Sequence, residues 1–199
     1  MTVDWGIAGS NFFMTVALCA LVSAPLVGQQ GGWRHLSRRS MTFAAAMFVL
    51  SFAVLTYSWR EIAGGFAATA FGHLALVVSV AALAEFGRLI RIITIDRLAG
   101  ALAALGLGVL LVVGVFAVGP LADGLSTTAS VWLLAANPLV AITSAAGIDL
   151  LHLDTIYRTS PLAHRGVVLP AWTTACAVYA IAGLAAHGVS RLRPWSHSR

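Results

Sequence analysis

Six apolar stretches occupy most of this chain: Ser10–Gly28, Met41–Trp59, Phe66–Glu85, Leu98–Leu121, Val131–Leu151 and Val168–His187. Each is close to the ~20 residues that a helix needs to cross a bilayer core. Inside hydrocarbon a backbone N–H or C=O has no water to bond, so such stretches must be helical. Composition agrees, with 59% hydrophobic residues, 10% charged residues and a mean hydropathy of +0.90. A soluble domain carries about 25% charged residues, which excludes that class. The expected fold is all-α: a polytopic integral membrane helical bundle, one transmembrane domain over residues 1–199, with five full spans plus one re-entrant or broken element. Neither an internal repeat nor a linker divides it.

The exceptional stretch is Val131–Leu151, because Asn137 and Pro138 stand near its start. Proline removes a backbone donor and clashes with the preceding turn. Broken backbone at membrane depth is tolerated where protein or a water-filled cavity covers it, which predicts a re-entrant element. Asn137 can supply hydrogen bonds to the turn. Leucine at position 138 is expected to permit one continuous helix.

The twelve basic residues are all arginine, and they fall mostly between the apolar stretches. The formal charge of +5 and the pI near 10.2 therefore read as topology signals rather than as a nucleic-acid surface. With five crossings and a re-entrant Val131–Leu151, nine arginines fall on the cytoplasmic side and three, Arg60, Arg158 and Arg165, outside. If that stretch crosses fully, the division becomes eight against four, so the first topology is favoured. It puts the N-terminus outside and the C-terminus in the cytoplasm of a cell (inner) membrane. Trp33, Trp59, Trp132, Trp172 and Trp195 lie near stretch ends, as interfacial anchors do. Asn11–Gly28 resembles a secretion signal, but no basic residue precedes it, and it reads as a retained helix.

Few residues offer chemistry. His73 is an intramembrane polar residue, either a ligand to a cofactor such as haem or an interhelical hydrogen-bonding group. Glu85, Arg88 and Arg91 recur at i, i+3 and i+6 on one side of a helix leaving the third stretch, and Arg88–Arg97 mixes basic and apolar residues as an interfacial helix does. Arg88 and Arg91 read there as partner contacts or as snorkelling side chains at a helix end. Between the last two stretches, His152, Asp154, Tyr157, Arg158 and His164 form an external polar cap without an HExxH or GxSxG pattern. Cys19 and Cys176 have no cysteine or histidine near them at metal-ligand spacing. No GxxxxGK[ST] occurs, and the chain has no lysine to complete one. Thus no catalytic residue, cofactor or metal is expected, and any nucleotide hydrolysis belongs to a partner.

The run WLLAANPLVAITSAAG, Trp132 to Gly147, followed by a polar segment, a last span and a short arginine-rich tail, resembles the C-terminal half of type-2 ABC transporter permeases. Asn137, Pro138 and Leu139 match an Asn-Pro-Leu that follows the fifth span in that family. The resemblance implies two short re-entrant helices on the external side and a final helix returning to the cytoplasm. It also implies a separate soluble ATPase, docked on a cytoplasmic turn that corresponds here to Gly31–Ser40, with Trp33, Arg34, Arg38 and Arg39. The family usually has six spans and an N-terminal amphipathic helix. Here Ser10–Gly28 corresponds to its second span. Expected partners are the lipid bilayer, that ATPase and a second permease copy or sister subunit. The alternative expectation is a non-catalytic subunit anchoring or stabilising a larger respiratory or photosynthetic complex.

Overall fold

The computed structural model describes residues 5–31, 36–60, 64–94, 96–114, 124, 126–149 and 171–192. Four of its helices are long and apolar enough to cross a membrane: α1 (Trp5–Gln29), α2 (Arg38–Ser58), α3 (Gly65–Ile93) and α7 (Trp172–Leu192). A shorter helix, α4 (Arg97–Val109), runs into a π-helical turn, Leu110–Gly114. Two short helices, α5 (Thr127–Ala135) and α6 (Pro138–Ala145), form a pair bent by 77°. No strand occurs among the described residues. The chain is thus an all-helical, multi-pass membrane protein with four candidate spans, or five when the bent pair counts as one.

Five full spans plus a separate element is more than these residues show. The described part of the expected fourth span, Leu98–Leu121, is helical through Gly114, and residues 115–123 lie outside the described set. Arg88–Arg97 is not one interfacial helix either. The third helix keeps its apolar core contacts down to Gly87 and continues to Ile93, after which Asp96 caps a new helix by accepting from the amides of Leu98 (3.2 Å) and Ala99 (3.0 Å).

Hydroxyl groups along the helices bond mainly within their own helix. Thr15 donates to the Asn11 carbonyl at 2.8 Å, Thr42 to Arg38 at 3.0 Å and Thr69 to Gly65 at 3.0 Å. Such back-bonding removes the cost of a bare hydroxyl in hydrocarbon. The outward surface is apolar, with Phe43, Ile181 and Leu184 about 70% exposed, as is ordinary when the solvent is lipid.

Close backbone approach sets the register of the bundle. A methyl at Gly87 would lie 1.8 Å from the Pro25 carbonyl oxygen, and one at Gly28 would lie 1.7 Å from that of Ala84, so α1 and α3 meet through these two glycines. Farther along the same pair, the Phe13 and His73 rings are 4.8 Å apart, making α1 and α3 parallel. Helix α2 is antiparallel to α1, since Ser58 at its end abuts Gly9. Helix α4 is also antiparallel to α1, with Gln29 Nε2 donating to the Arg97 carbonyl at 3.4 Å and Gly108 against Val22. Helix α7 runs parallel to α3: Trp172 stacks on Phe71 at 5.4 Å, Gly183 abuts Ala82, and His187 meets Glu85 at 3.1 Å.

These registers gather Arg38, Arg39, Arg88, Arg91, Arg97 and Arg191 at one end of the bundle, where α1, α3 and α7 finish and α2 and α4 begin. Arg60 lies at the opposite end, with its guanidinium 4.5 Å from the Tyr57 ring centroid. Trp33 and Arg34, expected beside Arg38 and Arg39, lie outside the described residues.

Candidate functional site

The break at Asn137 and Pro138 is a built structure. Asn137 caps α6, its Oδ1 accepting from the amides of Leu139 (2.8 Å) and Val140 (3.3 Å). Pro138 occupies the first helical position, where a missing N–H leaves nothing unsatisfied and the fixed φ suits a helix start. The sequence thus starts a helix here as well as ending one. The preceding helix begins at Thr127, capped by Ser126, so the break falls between two helices of similar length rather than near the start of one long stretch.

Several backbone groups at the bend find partners outside the regular helical pattern. The Asn137 amide donates to the Leu134 carbonyl at 3.0 Å, and the Tyr179 hydroxyl donates to the Ala136 carbonyl. Asn137 Nδ2 donates to the Val112 carbonyl at 2.9 Å, inside the π-helical turn. At the far end of α6, Gly147 adopts a φ of +70°, which few side chains tolerate. The Ile148 amide bonds the Thr143 carbonyl at 2.8 Å and the Gly147 amide bonds that of Ser144 at 3.1 Å, closing the helix in a Schellman motif. Pro138, Leu139, Val140, Ala141, Ile142, Thr143 and Ala145 are all buried, so α6 sits within the bundle.

Its depth follows from its neighbours. Ala146 packs on Gly72 and Gly147 on the Trp59 ring, which puts the end of α6 at the level where α2 ends and α3 starts. The other end, at Ala136 and Asn137, meets Tyr179, seven residues into α7 and so ~10 Å along it. Helix α6 therefore rises from the middle of the bundle to the end opposite the arginines.

The other intramembrane candidate, His73, is buried against α2. Thr69's carbonyl accepts from Nδ1 at 2.8 Å, which leaves Nε2 to accept from the Ser51 hydroxyl at 2.7 Å. Phe13, Phe48 and Phe52 surround the ring, with centroids 4.8, 5.0 and 5.0 Å away. Both ring nitrogens have partners, Nδ1 within α3 and Nε2 across to α2, and among the described residues no group of three or more His, Cys, Asp or Glu is placed to hold a metal.

Glu85 and Arg88 belong to a third cluster. Arg88 Nη1 donates to Glu85 Oε2 at 3.0 Å, and His187 Nδ1 from α7 lies 3.1 Å from that oxygen and 3.2 Å from Arg88 Nη1. The i, i+3 spacing was visible in the sequence; His187 joining it from α7 was not. Arg91 lies one turn beyond on α3. His152, Asp154, Tyr157, Arg158 and His164 lie outside the described residues.

Tyr179, Val112, Ser51 and His187 complete these sites; sequence reading passed over the first three and met His187 only as the end of the last apolar stretch. Tyr179 carried the one usable signal, a phenol within an apolar span, where a buried hydroxyl requires an acceptor. No family model, curated protein or solved structure matches this chain.

Proposed function

We propose that this chain is the membrane-embedded permease subunit of an ABC-type transporter, pairing with a separate soluble ATPase and with a second permease copy or sister subunit. The observation that carries the reading is α6: a half-length, buried helix, capped at both ends, that climbs from mid-bundle to the end away from the arginines. Helix α4 leaves the arginine end heading toward the same opposite end. If the chain after Gly114 completes that crossing, α5 and α6 enter and leave on one side. That is a re-entrant pair in an arrangement of five crossings, with the arginine end cytoplasmic. Capped, buried broken helices at mid-depth are where membrane transporters form sites and gates.

Partners are supported separately. Residues 38–46 of α2 are exposed on every side, while its second half packs on α1 and α3 through Ser58 and Ser51. A membrane subunit alongside would cover that half. The same surface also favours the second reading, a non-catalytic subunit that anchors or stabilises a larger respiratory or photosynthetic complex. Neither reading gives this chain a catalytic role. An inner-membrane location follows from either.

Purification of the tagged chain in mild detergent separates the two. A co-purifying ATPase that is lost on charge reversal, Arg38→Glu with Arg39→Glu, while the membrane domain stays folded, supports the permease. A stable set of redox subunits with no ATPase moves the assignment to the second reading. Cysteine labelling at positions 126, 159 and 198 tests the topology: 126 and 159 should label from outside and 198 from the cytoplasm. Position 159 labelling from the cytoplasm and 198 from outside, so that 126 and 159 lie on opposite sides, would end the re-entrant assignment.

A further inference from the structure

At the arginine end, α3 and α7 run side by side and their basic residues come in two levels. Arg88 and His187 form the upper level, 3.2 Å apart, and Arg91 and Arg191 sit one turn lower on the same two helices. Glu85 is the carboxylate that enters the cluster, and it is already bonded to Arg88. Arg88 and Arg191, two guanidinium groups against one carboxylate, leave positive charge in excess, which the partial negative charges of two helix C-termini reduce without cancelling.

The arginines keep donors to spare. Arg88 bonds through Nη1, and no hydrogen bond of its Nε or Nη2 occurs among the described residues, on a side chain that is 34% exposed. Arg191 is exposed, stands four residues after His187 and makes no bond among the described residues. Above this charge the groove becomes apolar. Leu184, three residues before His187 and 71% exposed, faces the same way on α7, and Ala81, four residues before Glu85, does so on α3. Phosphate-binding donors below an apolar groove, at the depth where a spanning helix meets water, fit one ligand chemistry: a phosphodiester carrying acyl chains.

We propose that the α3–α7 groove at the arginine end binds an anionic phospholipid, its phosphate on Arg88 and Arg191 and an acyl chain along Ala81 and Leu184. The inference does not depend on the transport reading. The lipid would bridge the two parallel helices at the level of His187, adding to the Glu85–His187 contact that already joins them.

Native mass spectrometry of the full chain, titrated in detergent with phosphatidylglycerol or phosphatidylcholine, tests this. Phosphatidylglycerol should be retained preferentially, and Arg191→Gln should lower its retention about fivefold, as expected for one arginine at a lipid-headgroup site. Arg191 bonds nothing among the described residues, so that variant leaves the helix seam intact. Arg88→Gln should act in the same direction, whereas Arg38→Gln with Arg39→Gln, at the same end but on α2, should not. Equal retention of the two lipids, no change in Arg191→Gln, or an equal loss in the α2 variant would overturn the site. Displacement of phosphatidylglycerol by an equal concentration of inorganic phosphate would also overturn it, by showing an anion site without a lipid requirement.

Discussion

Asn137 donates its side-chain amide to the carbonyl of Val112 at 2.9 Å, and this bond joins two irregular pieces of backbone at one depth. Val112 lies in the π-helical turn, where the helical register slips, and Asn137 marks the break before α6. A π-turn frees carbonyls from regular helical bonding, and in lipid a freed carbonyl must find a donor. One asparagine meets both needs: its oxygen caps α6 and its nitrogen covers Val112. Aspartate, serine or threonine could cap a helix. Of the good capping residues, asparagine alone also brings an N–H able to reach a carbonyl.

That double role sets the first prediction. Asn137→Ala loses the cap, worth ~1 kcal/mol, and leaves a buried carbonyl bare, at a further ~1–3 kcal/mol. Asn137→Asp retains the acceptor but turns a carboxyl oxygen toward the Val112 carbonyl, so it should not rescue. Thermal unfolding in detergent should show both variants destabilised. An aspartate variant as stable as the parent would mean that the Val112 bond contributes nothing.

Tyr179 provides the second. Tyr179→Phe keeps the ring in the core and removes only the hydroxyl that covers the Ala136 carbonyl. The cost should be ~1–3 kcal/mol, concentrated at the bend. Hydrogen exchange should therefore quicken at the amides of Ala136 and Asn137 more than at those of α1. Uniform quickening across the bundle would instead indicate loss of general packing.

How much of this was legible in the sequence depends on the range of the interaction. Asn137–Pro138 announced a helix break because capping and the missing proline donor act within three residues. Glu85 and Arg88 announced a pair because i, i+3 neighbours share a helix side. Tyr179, Ser51 and His187 gave no such sign, since each meets its partner across a helix pair whose register is set by glycine contacts such as Gly87 on Pro25 and Gly183 on Ala82. Arg88–Arg97 misled for a related reason. Its mixture of charge and apolar residues suits an interfacial helix, but the short-range signal at Asp96, a helix cap, divides it.

The third prediction concerns Ser51 and His73, which fasten α2 to α3 at 2.7 Å. Ser51→Ala leaves Nε2 without a donor, and His73→Leu leaves the serine hydroxyl without its ring partner. Each single change should cost more than its share of the double change. Such couplings average ~0.6 kcal/mol between membrane helices. A double-mutant cycle by thermal or denaturant unfolding should resolve a positive coupling. Strict additivity would mean that the phenylalanine cage, and not the hydrogen bond, holds the histidine.

The last prediction revises what Pro138 does. From the sequence, proline is the obstacle to a continuous helix, and leucine there would remove it. The cap geometry points elsewhere. Proline at the first helical position breaks no bond within α6, and the bend is also fixed by Asn137 Oδ1 on Leu139 and Val140, by Nδ2 on Val112, and by Tyr179 on Ala136. Leucine at 138 restores one N–H and relieves the clash with the preceding turn, but it leaves those four bonds in place. Pro138→Leu should therefore keep the bend, whereas Asn137→Leu with Pro138→Leu removes both the cap and the proline and should straighten it. Spin labels at Thr128 and Ser144, at the outer ends of α5 and α6, report the difference through their separation. A bend of 77° brings those ends closer than a straight helix of 1.5 Å per residue would hold them. The distance should stay near the parent value in Pro138→Leu and lengthen in the double variant. Lengthening already in Pro138→Leu would show that proline alone makes the break, and an unchanged distance in the double variant would show that packing around α6 sets the angle without either residue.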